Sequence, residues 1–107
     1  MDIPEIDVDG LEAALVDGAL LFDVRDADEY AEARIPGARL VPMGTVPDRM
    51  EEFPADGPSY VVCASGNRSG RVVEFLRAHE IDAVNVAGGT SAWIRSGKQH
   101  ESDSGSA

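Results

Sequence analysis

Hydrophobic and polar positions along the chain fall into five short apolar or β-branched runs separated by stretches of helical period. "EIDV" (5–8) is a weak first strand, and "GLEAALVDG" (10–18) carries a helical pattern closed by Gly18. "ALLFDV" (19–24) is a continuous apolar run of strand length, as expected of a strand covered on both faces. "DADEYAEAR" (26–34) opens with Asp26 as N-cap and Glu29 three residues on, a capping-box variant, and "IPG" breaks the helix. "ARLVP" (38–42) predicts a third strand, and "VPDRMEEF" (46–53) a short helix with Pro47 near its first turn. "SYVVC" (59–63) is a fourth strand. "RSGRVVEFLRAHEI" (68–81) sets Val72, Val73, Phe75 and Leu76 at helical spacing. "DAVNVA" (82–87) is the fifth strand, and "TSAWIRS" (90–96) a final short helix after Gly88-Gly89.

This alternation with short connections predicts one α/β domain over residues 1–99, a three-layer fold with a five-stranded parallel sheet and helices on both faces. The remainder, 100–107, has no apolar period and reads as a disordered acidic and polar tail. Tyr30 and Ile35 read as core, Trp93 as packing the last helix onto the sheet, and Gly88-Gly89 as a tight strand-to-helix turn. In sheets of this kind ligands bind outside the carboxyl ends of the strands. Cys63 lies at that end of the fourth strand.

Composition narrows the function classes. The chain has 20 Asp plus Glu against nine Lys plus Arg, a net charge of −11, and Lys98 is its one lysine. Such a surface disfavours unspecific binding to nucleic acid or to an anionic membrane. It is either an ordinary solvated acidic surface or one suited to high salt, as in a halophile, where ~1 M salt shortens the Debye length to roughly 3 Å. No apolar stretch approaches the roughly 20 residues that cross a bilayer, and the acidic start lacks a signal-peptide pattern. A single cysteine forms no internal disulfide, which makes a cytoplasmic setting the expectation. With no CxxC pair or Cys/His cluster, neither metal nor cofactor is expected.

That cysteine stands in "VVCASGNRSG", where small and polar residues follow the strand. A strand that ends in a thiol and turns through Gly66 into a helix presents unpaired main-chain N–H groups and the positive end of the helix dipole. These favour an anion and lower a thiol pKa from about 8.5 into the range ~3.5–7.5. Cys63 is thus the candidate nucleophile, with the loop of Ala64, Ser65, Gly66, Asn67, Arg68 and Ser69 as candidate binding residues. No base is in reach: helix geometry sets His79 roughly 15 Å or more away, and His100 falls in the tail. Without this context a lone cysteine at a strand end is a small buried hydrophobe. Arg68 either faces an anionic substrate or pairs with an acid beside the loop, Asp23 being one choice. Asp23 and Arg25 either support the site or form a structural ion pair.

At these residues the chain resembles a rhodanese-homology domain, specifically the single-domain rhodaneses. "CASGNRS" matches C-x-x-G-x-R-S. "LFDVRDADEYAEARIPGARLVP" resembles D-V-R-x-x-x-E-[YF]-x-x-G-H-I-P-G-A, and "VNVAGGTSAWIRSGK" resembles N-[LV]-x-G-G-x-x-x-W-x-x-x-G. The signatures occur in family order across residues 4–99. The resemblance implies a sulfurtransferase in which Cys63 takes the outer sulfur of thiosulfate or a related small anionic donor. The persulfide then passes it to cyanide, a thiol or a protein acceptor. Amides of residues 64–69 would cradle the sulfur, and Arg68 would face the sulfonate. Arg34 stands where the family usually has histidine.

Three other readings stay in view. A cysteine phosphatase or arsenate reductase has a loop one residue longer than the four residues between Cys63 and Arg68, and the latter enzyme needs a second cysteine. A sulfur carrier would deliver the persulfide within a protein relay. A redox sensor would use an exposed low-pKa thiol. A monomer or weak dimer is expected.

Overall fold

The architecture follows from how each apolar run is covered. In the computed structural model, residues 2–103 are described. The strands are β1 (Glu5–Ile6), β2 (Leu20–Asp23), β3 (Arg39–Leu40), β4 (Ser59–Val62) and β5 (Ala83–Val86). The helices are α1 (Val8–Val16), α2 (Ala27–Glu32), α3 (Asn67–Ala78) and α4 (Gly89–Arg95). The sheet order is β1-β5-β4-β2-β3, with every pair parallel. This is the five-stranded parallel sheet that the sequence predicts.

Alternate side chains of each strand enter different cores. Phe22, Val61 and Cys63 join Val72, Val73 and Leu76 of α3 on one face, where the Phe22 and Phe53 rings lie 4.3 Å apart. Leu21, Val62 and Val86 join Leu11 of α1, Ile35 and Trp93 of α4 on the other. Covering by helices on both faces explains why the segment that forms β2 reads as a continuous apolar run.

The chain steps outward from β2 to β3, returns to β4 beside β2, and then continues to β5. The two directions part between β2 and β4, which is the crevice where open α/β sheets bind ligands. Cys63 leaves β4 there, and Asp23 and Arg25 leave β2.

Three segments differ from the sequence expectations. The first strand ends at Ile6, because Asp7 caps α1: its carboxylate accepts the Gly10 N–H at 2.8 Å. The helix expected at 46–53 is instead two 3₁₀ segments, Met43–Asp48 and Met50–Glu52. Pro47 offers no N–H, and short-range bonds such as Arg49 N to Val46 O at 3.0 Å hold the segment.

Part of the expected tail makes specific contacts. Arg34 and Glu101 exchange main-chain bonds at 2.8 and 2.9 Å, and the Arg34 guanidinium holds Asp103 at 2.8 Å. Just ahead of that tail, the indole N–H of Trp93 donates to Gln99 O at 2.8 Å. Residues 104–107 of the expected tail lie outside the described residues. No helix of the described residues is long and apolar enough to cross a membrane.

Gly89 tests how tightly α4 closes on β4. Its φ is +63°, and a Cβ there would lie 2.5 Å from the carbonyl oxygens of both Cys63 and Ala64. Strain and overlap together should make Gly89→Ala destabilising by about 2 kcal/mol or more in urea unfolding. Gly57→Ala, with open space around it, should stay within about 0.5 kcal/mol.

Candidate active site

Cys63 follows β4 and is 1% exposed. The next turn is possible because Gly66 takes φ +107°, a left-handed conformation that side chains disfavour, and becomes the N-cap of α3. From there two main-chain N–H groups aim at one atom. Gly66 N donates to Cys63 Sγ at 3.1 Å and Ser69 N at 3.3 Å. The amide of Ser65 contributes as well.

Ser69 Oγ lies 3.3 Å from Sγ and 2.6 Å from Asn85 Oδ1. Asn85 is oriented by its own donors, with Nδ2 bound to Glu5 Oε2 at 2.8 Å and Gly66 O at 3.2 Å. A hydroxyl has one hydrogen, so Ser69 serves the sulfur or Asn85 at any instant, and the amides are the undivided donors. Burial pushes the Cys63 thiol up. The Ser69 hydroxyl and the amides of Ser69, Gly66 and Ser65 outweigh burial and hold it below the ordinary cysteine value.

The opposite side of the loop is held by α4. Thr90 N donates to Cys63 O at 2.9 Å and Ser91 N to Ala64 O at 3.0 Å. The first amides of one helix thus bind the carbonyls leaving β4, while those of another face the sulfur. The close approach explains Gly89, which the sequence reading assigned only to a tight turn.

Arg68 pairs with an acid, but the partner is Glu29 and not Asp23. The guanidinium grips both carboxylate oxygens at 2.9 Å. That bond holds the Glu29 carboxyl down at about 2, against the pull of burial. Glu29 also accepts the Asp26 N–H at 3.2 Å, which completes the cap expected at α2. Asp23 is fully buried and bound by Arg25, with contacts of 3.0, 3.2 and 2.8 Å, and Arg25 further donates to Ala33 O at 2.7 Å. Asp23 and Arg25 thus form the buried ion pair that was one of the two readings of these residues.

The other residues of the expected loop are nearer to solvent. Asn67 and Ser65 are exposed, and Ala64 is half-buried. His79 lies at the far end of α3, exposed, with Nδ1 2.9 Å from Phe75 O. Arg34 stacks over the Tyr30 ring at 4.6 Å. Asn85 and Glu5 were not identified from sequence. A polar residue inside an otherwise apolar strand was the signal for Asn85.

The rhodanese-like domain family model matches residues 7–96. A sulfurtransferase of Allochromatium vinosum is 38% identical over 98 residues, covering 89% of this chain and 92% of that one. A thiosulfate sulfurtransferase of Pseudomonas putida is 34% identical over 84 residues, 78% of this chain and 76% of that one. Among solved structures, the rhodanese-like domain protein from Staphylococcus aureus is similar with a TM-score of 0.81 at 44% identity, covering 85% of this chain and 91% of that one.

The donor set around Sγ gives a direct titration test. Alkylation rate against pH should inflect below the value of about 8.5 for free cysteine. Ser69→Ala should move the inflection upward by removing a hydroxyl donor, yet leave it below that of free cysteine because the amides persist. A native inflection at or above the free value contradicts the assignment.

Proposed function

The chain belongs to the rhodanese-like domain family, and on that premise we propose that it transfers sulfane sulfur through a persulfide on Cys63. The observation that carries this reading is the convergence of the Gly66 and Ser69 amides on Sγ. They favour a thiolate without a neighbouring base, and they are as well suited to the persulfide anion that follows.

In the first step the Cys63 thiolate forms a bond to the outer sulfur of thiosulfate or a related donor. The bond from that sulfur to the sulfonyl sulfur breaks, and sulfite leaves with the electron pair. In the second step cyanide, a thiol or a protein nucleophile attacks the terminal sulfur, and the Cys63 thiolate is released. Arg68 retains N–H groups beyond the two that hold Glu29, and these can contact the donor's oxygen atoms. Delivery to a protein acceptor would make the same chemistry a relay.

One rival reading loses support. A cysteine phosphatase has a loop one residue longer than the four residues between Cys63 and Arg68.

Intact mass after incubation with thiosulfate should show one added sulfur atom on the native chain and none on Cys63→Ser. Arg68→Ala should raise the thiosulfate KM by about tenfold or more while shifting the unfolding midpoint little, since an exposed pair contributes roughly 0.2–1 kcal/mol. Unchanged kinetics in that variant assign the arginine to structure alone.

A further inference from the structure

A solitary arginine beside a thiolate would draw any anion toward the loop. Arg68 is not solitary. Both oxygens of Glu29 are bound to its guanidinium at 2.9 Å, and Glu29 stays ionised throughout the neutral range because its carboxyl is held at about 2. The neighbouring cation, Arg25, is closed by Asp23 at 2.8 Å. Asp26 at the cap of α2 and Asp28 in its first turn are exposed and add negative charge on this side, Asp26 acting on Arg68 directly. Behind this stands a chain of net charge −11, whose repulsion grows with the charge of the approaching ligand.

Resting on the sulfur-transfer reading above, we propose that the Arg68–Glu29 pair neutralises the mouth of the Cys63 loop and so directs it to sulfane-sulfur donors of low charge over free dianions such as thiosulfate. A dianion must compete with a carboxylate for the guanidinium and meets twice the repulsion of a monoanion. A sulfane sulfur carried on an organic group or a protein avoids both and meets the main-chain amides alone. Glu29, on α2 and outside the loop, is then a specificity-determining residue.

The test compares two donors of one chemistry. Thiosulfate carries two negative charges and releases sulfite; methanethiosulfonate carries one and releases methanesulfinate. With either, the Cys63 thiolate bonds the sulfane sulfur, the sulfur–sulfonyl bond breaks, and the leaving group departs with the electron pair. Single-turnover persulfide formation is followed by intact mass. Glu29→Gln keeps an oxygen for the Asp26 N–H and removes the charge. It should raise the thiosulfate-to-methanethiosulfonate rate ratio by about threefold or more, the effect of one further unit of ligand charge at about 6 Å in a water-like dielectric. Asp56→Asn, which removes an exposed charge near the amino end of β4, should change the ratio less. On the native chain, raising ionic strength from about 0.05 to 0.5 M should speed thiosulfate more than methanethiosulfonate.

A ratio that is unchanged or falls in Glu29→Gln overturns the inference, as does salt that slows thiosulfate more than methanethiosulfonate. Should that variant not fold, the salt series on the native chain decides alone. A native chain that takes sulfur from neither donor fails earlier, at the mass measurement, and that result removes the sulfur-transfer reading itself.

Discussion

The left-handed backbone at Gly66 is the constraint on which the site depends. At φ +107° the chain reverses within three residues of Cys63, sends the Gly66 amide back to Sγ, and starts α3 with Gly70 N bound to Gly66 O at 3.0 Å. A side chain at Gly66 would not overlap its surroundings, for the nearest atoms to a Cβ are 3.6 Å away. Conformation alone selects glycine there. Gly89 is selected by the opposite cause, because main-chain oxygens of Cys63 and Ala64 occupy the space a side chain would need. One glycine shapes the loop and the other allows α4 to bind its base.

The α/β alternation was legible because each element announces its environment. Strands covered on both faces need largely apolar runs, such as Leu20, Leu21 and Phe22 or Tyr60, Val61 and Val62, and α3 needs a stripe for its single buried face. The thiol and its loop were legible for a local reason: the donors lie within six residues of Cys63. Glu29 was visible only as a helix cap. Its second role depends on the β2–β4 neighbourhood, which brings it to an arginine 39 residues away. Asn85 and Glu5 likewise meet across 80 residues through the β1–β5 pairing. Periodicity describes which face is buried, and it is silent on which polar groups meet across strands.

The buried Asp23–Arg25 pair shows how such long-range placement is fixed. An unpaired charge at either position would be costly in a dry interior. The two close on each other, and Arg25 reaches on to Ala33 O beyond the end of α2. The connection from β2 into α2 is thereby tied at both ends of the helix. Glu29 rides on that helix, so the geometry of the Arg68 contact is inherited from the Asp23–Arg25 pair.

A thiol with an ordinary pKa needs a base to become a nucleophile, and here two opposed environments replace one. On one side Cys63 is embedded with Phe22, Val24 and Val61, which favours the neutral form; on the other it faces three amides and a hydroxyl, which favour the anion. The donors win, and they do so with groups already fixed by the turn and by α3, so no reorganisation is needed when charge appears. The apolar side then acquires a second use in the sulfur-transfer reading. A persulfide carries its charge on the outer sulfur, one bond further from the aliphatic wall. Adding that atom moves negative charge away from the surroundings that oppose it.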